Sequence, residues 1–324
     1  MNTITDIQST TPEHIMQADV VVIQSPGSPE LMESMNFAVQ QKKPVIVEID
    51  DFVHAVSPNN PGYQAWNPGT LFLHRFVNGF ARANACIVST PQLAREYFPL
   101  NKNIYVMPNY LDKGKWDVNQ IKSNDGVVRI GWAGGNAHVD DLKLIAPAVE
   151  RIVKEYGGKV KFETMGLMNK ELKDTFKLAQ FTDVCPKCDY QGEYRVFAGE
   201  KLDNYPQMLA SHGWDIALAP VVDTAFNNAK SDLKLKEYAA AGFAPIASSV
   251  TPYEEAQADG CAVLLAKTHE DWYTNIKSLI DDEKKRVEMA RKNKEWIQRH
   301  WIDDNIKQYY DLFSKVIKEY PSNK

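Results

Sequence analysis

The chain has 324 residues, 44% of them hydrophobic and 24% charged, and a formal net charge of −5. That is enough apolar material for two domains of ordinary size. No stretch approaches the roughly 18 apolar residues of a membrane span, so no stable membrane insertion is expected, and the acidic balance supplies no basic footprint for duplex DNA.

The first 110 residues alternate apolar runs with helical spacing. Ala18–Gln24, Lys43–Ile49, Ala85–Ser89 and Asn103–Met107 are strand-like, and helical stretches fall around 29–42, 70–83 and 91–98. The alternation predicts a short α/β domain of about four parallel strands. Asp50 and Asp51 follow directly on the second run and so lie at its carboxyl end, where open α/β sheets bind ligands. Carboxylates there can orient a ligand hydroxyl or accept its proton. Equally, one can cap the following turn while the other is solvated. His54 follows in the same loop as a further catalytic candidate, although a lone loop histidine needs no function. Ser25-Pro-Gly-Ser28 and Ser89-Thr90 end the first and third runs on the same rim.

A polar stretch, 111–126, reads as a connector after Met107-Pro-Asn-Tyr-Leu-Asp112. Val127–Ala133 is then a strand running into Gly134-Gly135-Asn136-Ala137-His138, with a helix expected from Asp140 to Tyr156. Glycines between a strand and a helix let a phosphate approach backbone amides, and His138 adds a side chain; a plain tight turn needs no ligand. Cys185-Pro-Lys-Cys188 has the spacing of half a zinc ribbon, but a structural site takes four ligands and no second pair exists. It reads as a surface turn in an insertion over 181–195, and no metal is expected. The four cysteines, at 86, 185, 188 and 261, and the lack of an apolar N-terminal segment fit a reducing cytoplasm.

Trp214–Pro220 is another buried strand, followed by a loop over Asp223 to Asn228. Ser231 is placed to cap a helix running to about Ala241, with Asp232 in its first turn and Gly242 just past its end. Lys230, Lys234 and Glu237 are spaced to share one side of its first two turns. Free amides and the two lysines suit a diphosphate, and Glu237 can accept hydrogen bonds from vicinal hydroxyls. The same spacing also suits a solvated amphipathic helix. Phe243–Ser248 is a short strand that completes a βαβ unit and puts the helix start at the ligand end of the sheet. Helices over Glu283–Arg299 and Asp303–Lys318 close the chain.

The run Glu237-Tyr-Ala-Ala-Ala-Gly242 with Pro245-Ile-Ala-Ser248 resembles the donor signature of GT-B glycosyltransferases, in particular the retaining family 4. Pro108-Asn-Tyr-Leu-Asp112 is similar to the motif entering that family's interdomain linker. The resemblance covers residues 105–260 and implies two Rossmann-like domains facing across a cleft, with a shortened N-terminal domain. It implies an acceptor-side domain over 1–110, a linker over 111–126, a nucleotide-sugar domain over 127–300, and a final helix, 301–324, packing back on the N-terminal domain. In the family, the second glutamate of a Glu-x7-Glu pair contacts the ribose, and Glu237 matches it. The first has no counterpart, because Ala229 stands there, so the sugar contact must come from Asn227, Asn228 or the backbone. The family's Arg and Lys after the glycine loop are also missing, which leaves the phosphates to Lys230, Lys234, Ser231, His138 and the amides of Gly134 and Gly135.

The expected activity is sugar transfer from a UDP- or GDP-sugar to an acceptor hydroxyl, with retention and with no cofactor. Retaining enzymes need no protein base of the inverting kind, since the leaving phosphate takes the acceptor proton. The acceptor is open: a glycan, a small molecule, a lipid-linked glycan or a modified DNA base of the kind that some phage glycosyltransferases use. A non-catalytic nucleotide-sugar-binding module is the other class. An oxidoreductase is disfavoured, since no Gly-x-Gly-x-x-Gly follows either domain's first strand.

Overall fold

The computed structural model describes residues 11–166, 194–197 and 199–321. It contains two compact units, each with its own parallel sheet.

Unit 1 comprises the chain up to Asn109, Ala229–Ser231, and the chain from Asn305 onward. Its elements run β1 (Val21–Gln24), α1 (Pro29–Gln40), β2 (Val45–Ile49), α2 (Leu71–Arg82), β3 (Ala85–Val88), α3 (Pro91–Tyr97) and β4 (Ile104–Val106). The helices start where their sequence says they should. Ser28, Thr70 and Thr90 accept from the third amide of α1, α2 and α3, and prolines occupy the first turn of α1 and α3.

The sheet order is β1-β2-β3-β4, all parallel. Right-handed crossovers that step in one direction place every connecting helix on the same face. The alternation of side chains confirms it. Val45, Val47, Ile49, Cys86 and Val88 pack with Met35, Phe76, Phe80, Leu93 and Tyr97 from the three helices. Ile46, Ala85 and Ile87 point the other way and are covered by Leu312 and Val316 of the helix Ile302–Glu319.

Unit 2 comprises Tyr110–Asn228 and Asp232–Asp304. Its elements are β5 (Val128–Ala133), α4 (Val139–Tyr156), β6 (Val160–Met165), β7 (Tyr194–Phe197), α5 (Tyr205–Ser211), β8 (Ile216–Ala219), α6 (Leu233–Ala241), β9 (Ala244–Ser248), α7 (Thr251–Ala258), β10 (Leu264–Ala266), α8 (His269–Asp281) and α9 (Glu283–Trp296). The order is β10-β9-β8-β5-β6-β7, so the chain first builds outward from β5 and then returns to build the other half from β8. Reversal puts helices on both faces. α4 and α8 cover one side through Leu142, Ile145, Trp272 and Ile276, and α5, α6 and α7 cover the other through Leu209, Leu235, Tyr238 and Tyr253. The junction of β5 and β8 is the topological switch point, where open α/β sheets hold ligands at their carboxyl ends.

No described helix is long and apolar enough to cross a membrane. Cys86 and Cys261 are buried free thiols, and Cys185 and Cys188 lie outside the described residues.

Candidate functional site

At the switch point, β5 and β8 pair only through Ile130↔Ile216 and Gly131↔Ala217. Beyond those two positions the strand ends are joined by a side chain. The Tyr238 hydroxyl accepts from the Ala133 amide at 3.3 Å and donates to the Leu218 carbonyl at 3.0 Å. Burial pushes its pKa up to about 12, so it stays a neutral hydroxyl that can both donate and accept. Tyr238 belongs to α6, so the helix that carries Lys234 and Glu237 is fastened to the strands at the point where they part.

The loop after β5 is tightly packed on one side and open on the other. A Cβ at Gly134 would lie 2.4 Å from the Trp132 ring, and one at Gly166, whose φ is +131°, would lie 1.8 Å from the Gly134 carbonyl. Both positions need glycine. The Gly134 amide donates to the Met165 carbonyl at 2.9 Å, which corrects the expectation that it offers itself to a phosphate. Among the described residues the Gly135 amide has no hydrogen-bond partner, and a Cβ there would meet nothing within 4 Å. His138 closes the loop. Its Nδ1 lies 2.7 Å from Asp141 Oδ2, its ring stands edge-on to Trp132, and Asp141 Oδ1 accepts from the Val222 amide at 2.6 Å.

The start of α6 differs from the expected one. Its N-cap is Asp232 rather than Ser231, and Asp232 pairs with Lys236 one turn on at 2.7 Å. Sequence spacing cannot distinguish two adjacent capping residues; the Lys236 partner and the tie of Ser231 Oγ to Asn109 Nδ2, 3.1 Å away, settle the register. Gly242 takes a left-handed φ of 83°, and the Phe243 amide reaches back to the Tyr238 carbonyl at 3.0 Å, which ends the helix in a Schellman motif.

Lys234 and Glu237 come together at 2.8 Å, half-buried. Burial works against the Lys234 charge, yet the Glu237 carboxylate outweighs it and holds the lysine pKa well above its ordinary value. Tyr205, from α5, donates its hydroxyl to the same Glu237 Oε2 at 3.1 Å. Both donors use one oxygen, and Glu237 Oε1 has no partner among the described residues. Tyr205 was not a sequence candidate, because nothing in its local spacing points to a helix 32 residues away. Asn227 donates to the Val222 carbonyl at 2.8 Å, and Asn228 is bound to Asp223 and Thr251, so the loop after β8 is held by its own amides.

Unit 1 gathers a second group at the carboxyl end of its sheet. Lys230 is not aligned along α6 with Lys234; it lies before the helix and its ammonium pairs with Asp51 at 2.9 Å. Its neighbour Ala229 is fully buried in the unit 1 core, and the Ala229 carbonyl accepts from Thr90 Oγ1 at 2.8 Å. A glutamate at this position would leave a carboxylate in an apolar core. The Tyr97 hydroxyl fixes the carboxylate turn, donating to the Asp51 carbonyl at 2.9 Å and accepting from the Val53 amide at 3.0 Å. Burial, and then the Asp51 charge, raise the pKa of Asp50. Burial lowers that of His54, whose ring lies 5.7 Å from Tyr97 and 6.0 Å from Phe52. Among the described residues no group of three or more His, Cys, Asp or Glu is placed to hold a metal ion.

No protein-family model and no curated protein matches the sequence. Solved structures do match. TarM from S. aureus is 17% identical with a TM-score of 0.64, over 91% of this chain and 55% of its own. HepE from Anabaena, solved with UDP-glucose, is 13% identical with a TM-score of 0.67, over 94% of this chain and 80% of its own. Sucrose-phosphate synthase from Thermosynechococcus elongatus is 12% identical with a TM-score of 0.65, over 93% of this chain and 74% of its own. The chain thus spans little more than half the length of TarM. These likenesses show the fold, an α/β protein with two parallel sheets of the GT-B glycosyltransferase type.

Proposed function

We propose that the protein is a nucleotide-sugar-dependent glycosyltransferase whose donor is held by unit 2. One observation carries this reading: beside the switch point, Lys234 and Tyr205 both bind Glu237 Oε2 and leave Oε1 as an acceptor. In the proposed complex Oε1 takes the ribose hydroxyls, while Lys234 and the Gly135 amide face the diphosphate. The structures of HepE with UDP and with UDP-glucose support a donor of this class. Asp50, Asp51 and His54 are assigned to the acceptor side. Asp51 is ion-paired with Lys230, so one of its oxygens is already engaged. That favours transfer with retention, in which the leaving phosphate takes the acceptor proton.

Thermal-shift measurements against UDP-, GDP-, ADP- and TDP-sugars test the donor class, since a ligand of the folded state raises its melting temperature. Glu237→Ala and Lys234→Ala should each weaken the best donor by about 10- to 100-fold, the value of a charge-assisted hydrogen bond. Unchanged calorimetric affinity in both variants would sink the assignment. Slow release of nucleoside diphosphate from a donor marks an enzyme. Binding without release across the panel marks a binding module.

A further inference from the structure

We propose that Asp141 is a positioning residue for the donor diphosphate, acting through His138; this rests on the function proposed above. Asp141 is 6% exposed and both of its oxygens are engaged within unit 2, Oδ1 by the Val222 amide at 2.6 Å and Oδ2 by His138 Nδ1 at 2.7 Å. A carboxylate only accepts, so the proton of the second contact sits on Nδ1 and the imidazole tautomer is set. Nε2 is then the nitrogen left to meet a ligand. When the ring carries both protons, Nε2–H is a charged donor in the loop that follows β5.

The surrounding charges make that second proton matter. Asp140 and Asp141 both lie in the first turn of α4, where they oppose an incoming diphosphate, and Asp140 already holds Lys143 at 3.1 Å. Asp223, in the loop after β8, is bonded to Asn228. From the other face of the sheet, Tyr253 of α7 senses both Asp141 and Lys234. In this setting a second proton on His138 would offset the aspartates of its own turn, and Asp141 is what aims the ring.

The test is calorimetric titration of the full chain with UDP-glucose and GDP-glucose, whose diphosphate keeps a constant charge, across the range in which histidine titrates. Wild-type affinity for the sugar nucleotide it binds should fall as pH rises across that range. Asp141→Asn keeps an oxygen for Val222 but turns an N–H toward Nδ1, reversing the tautomer. It should weaken binding about tenfold at pH 6 and flatten the profile. His138→Gln should flatten it likewise, whereas Lys234→Ala should weaken binding at every pH and keep the slope. A purely structural Asp141 would lower the melting temperature of Asp141→Asn and leave its pH slope intact, and that result overturns the proposal. A wild-type protein that binds without a pH slope also overturns it while sparing the donor assignment. A wild type that binds neither sugar nucleotide removes both.

Discussion

The two sheets of this protein are built from the same parts and differ in one topological decision. In unit 1 each strand is laid beside the one before it, so the described order never reverses and the connecting helices all fall on one face. In unit 2 the chain returns to β5 and builds β8 against it, which covers both faces and opens the split that Tyr238 fastens. A sheet without a reversal needs a cover brought from elsewhere in the chain. A sheet with one has its own covers and, at the reversal, a place for a ligand.

The largest expected effect comes from removing the borrowed cover. Leu312 is 4% exposed against the bare face of the first sheet, and Leu312→Asp should cost unit 1 about 4 kcal/mol or more by burying an unpaired charge. Hydrogen exchange should then accelerate in β2 and β3 and leave β5 and β8 protected. Tyr310→Asp, on the 64% exposed side of the same helix, should change neither. Equal exchange in the two variants would mean that the first sheet does not depend on this helix.

Next in size is an acid sensitivity belonging to unit 2. His212 is 9% exposed between Phe197 and Trp214, and burial, then the Arg195 charge, lowers its pKa to about 4. The unfolded chain binds this proton more readily, so the stabilisation is complete above about pH 6.5 and is lost as pH falls toward 4. Relative to His212→Phe, the wild type should lose about 3 kcal/mol over that interval, read from urea unfolding at each pH. A parallel decline in both proteins would assign the acid sensitivity to other groups.

Tyr238→Phe tests the split itself. It leaves the Ala133 amide and the Leu218 carbonyl without their partner inside the core and should cost about 2 kcal/mol, together with part of the donor affinity. Donor affinity that is untouched after the stability loss would separate the split from the ligand. The smallest effect is expected in unit 1. Asp50→Asn removes a carboxylate whose pKa is raised by burial, so it should stabilise slightly at neutral pH, with the gain vanishing in acid as the wild-type carboxyl takes up its proton. A loss of stability instead would show that the Asp50 charge is structurally engaged.

The strands β1–β5, β8 and β9 and the helices between them were legible as short apolar runs and as capped or stopped helices, whereas β6, β7, β10, α5, α7 and α8 were not among the expected elements. Thr70, Thr90 and Gly242 do in the structure what their residue types suggest. Local pattern does not encode which strand lies beside which, so the one-sided first sheet and the switch point at β5 and β8 were not readable. The same limit applies to the site. Lys234 and Glu237 sit three residues apart on one helix and were visible as a pair. Tyr205, Asp141 and Tyr97 act across the fold through single hydrogen bonds, and nothing near them in sequence announces it. Lys230 was misplaced for a related reason: helical spacing was extended one turn too far upstream, across residues 229–231, which belong to the other unit.

The helix that covers the first sheet also sets the order in which the protein can be completed. Ile46 and Ile87 leave the ribosome early, but the side chains that shield them, Leu312 and Val316, are more than two hundred residues downstream. Unit 2, nearly contiguous in the chain, carries its own covers and has all of its residues before those arrive. Unit 1 is therefore finished after unit 2, and its half-covered sheet is a surface prone to aggregation in the meantime.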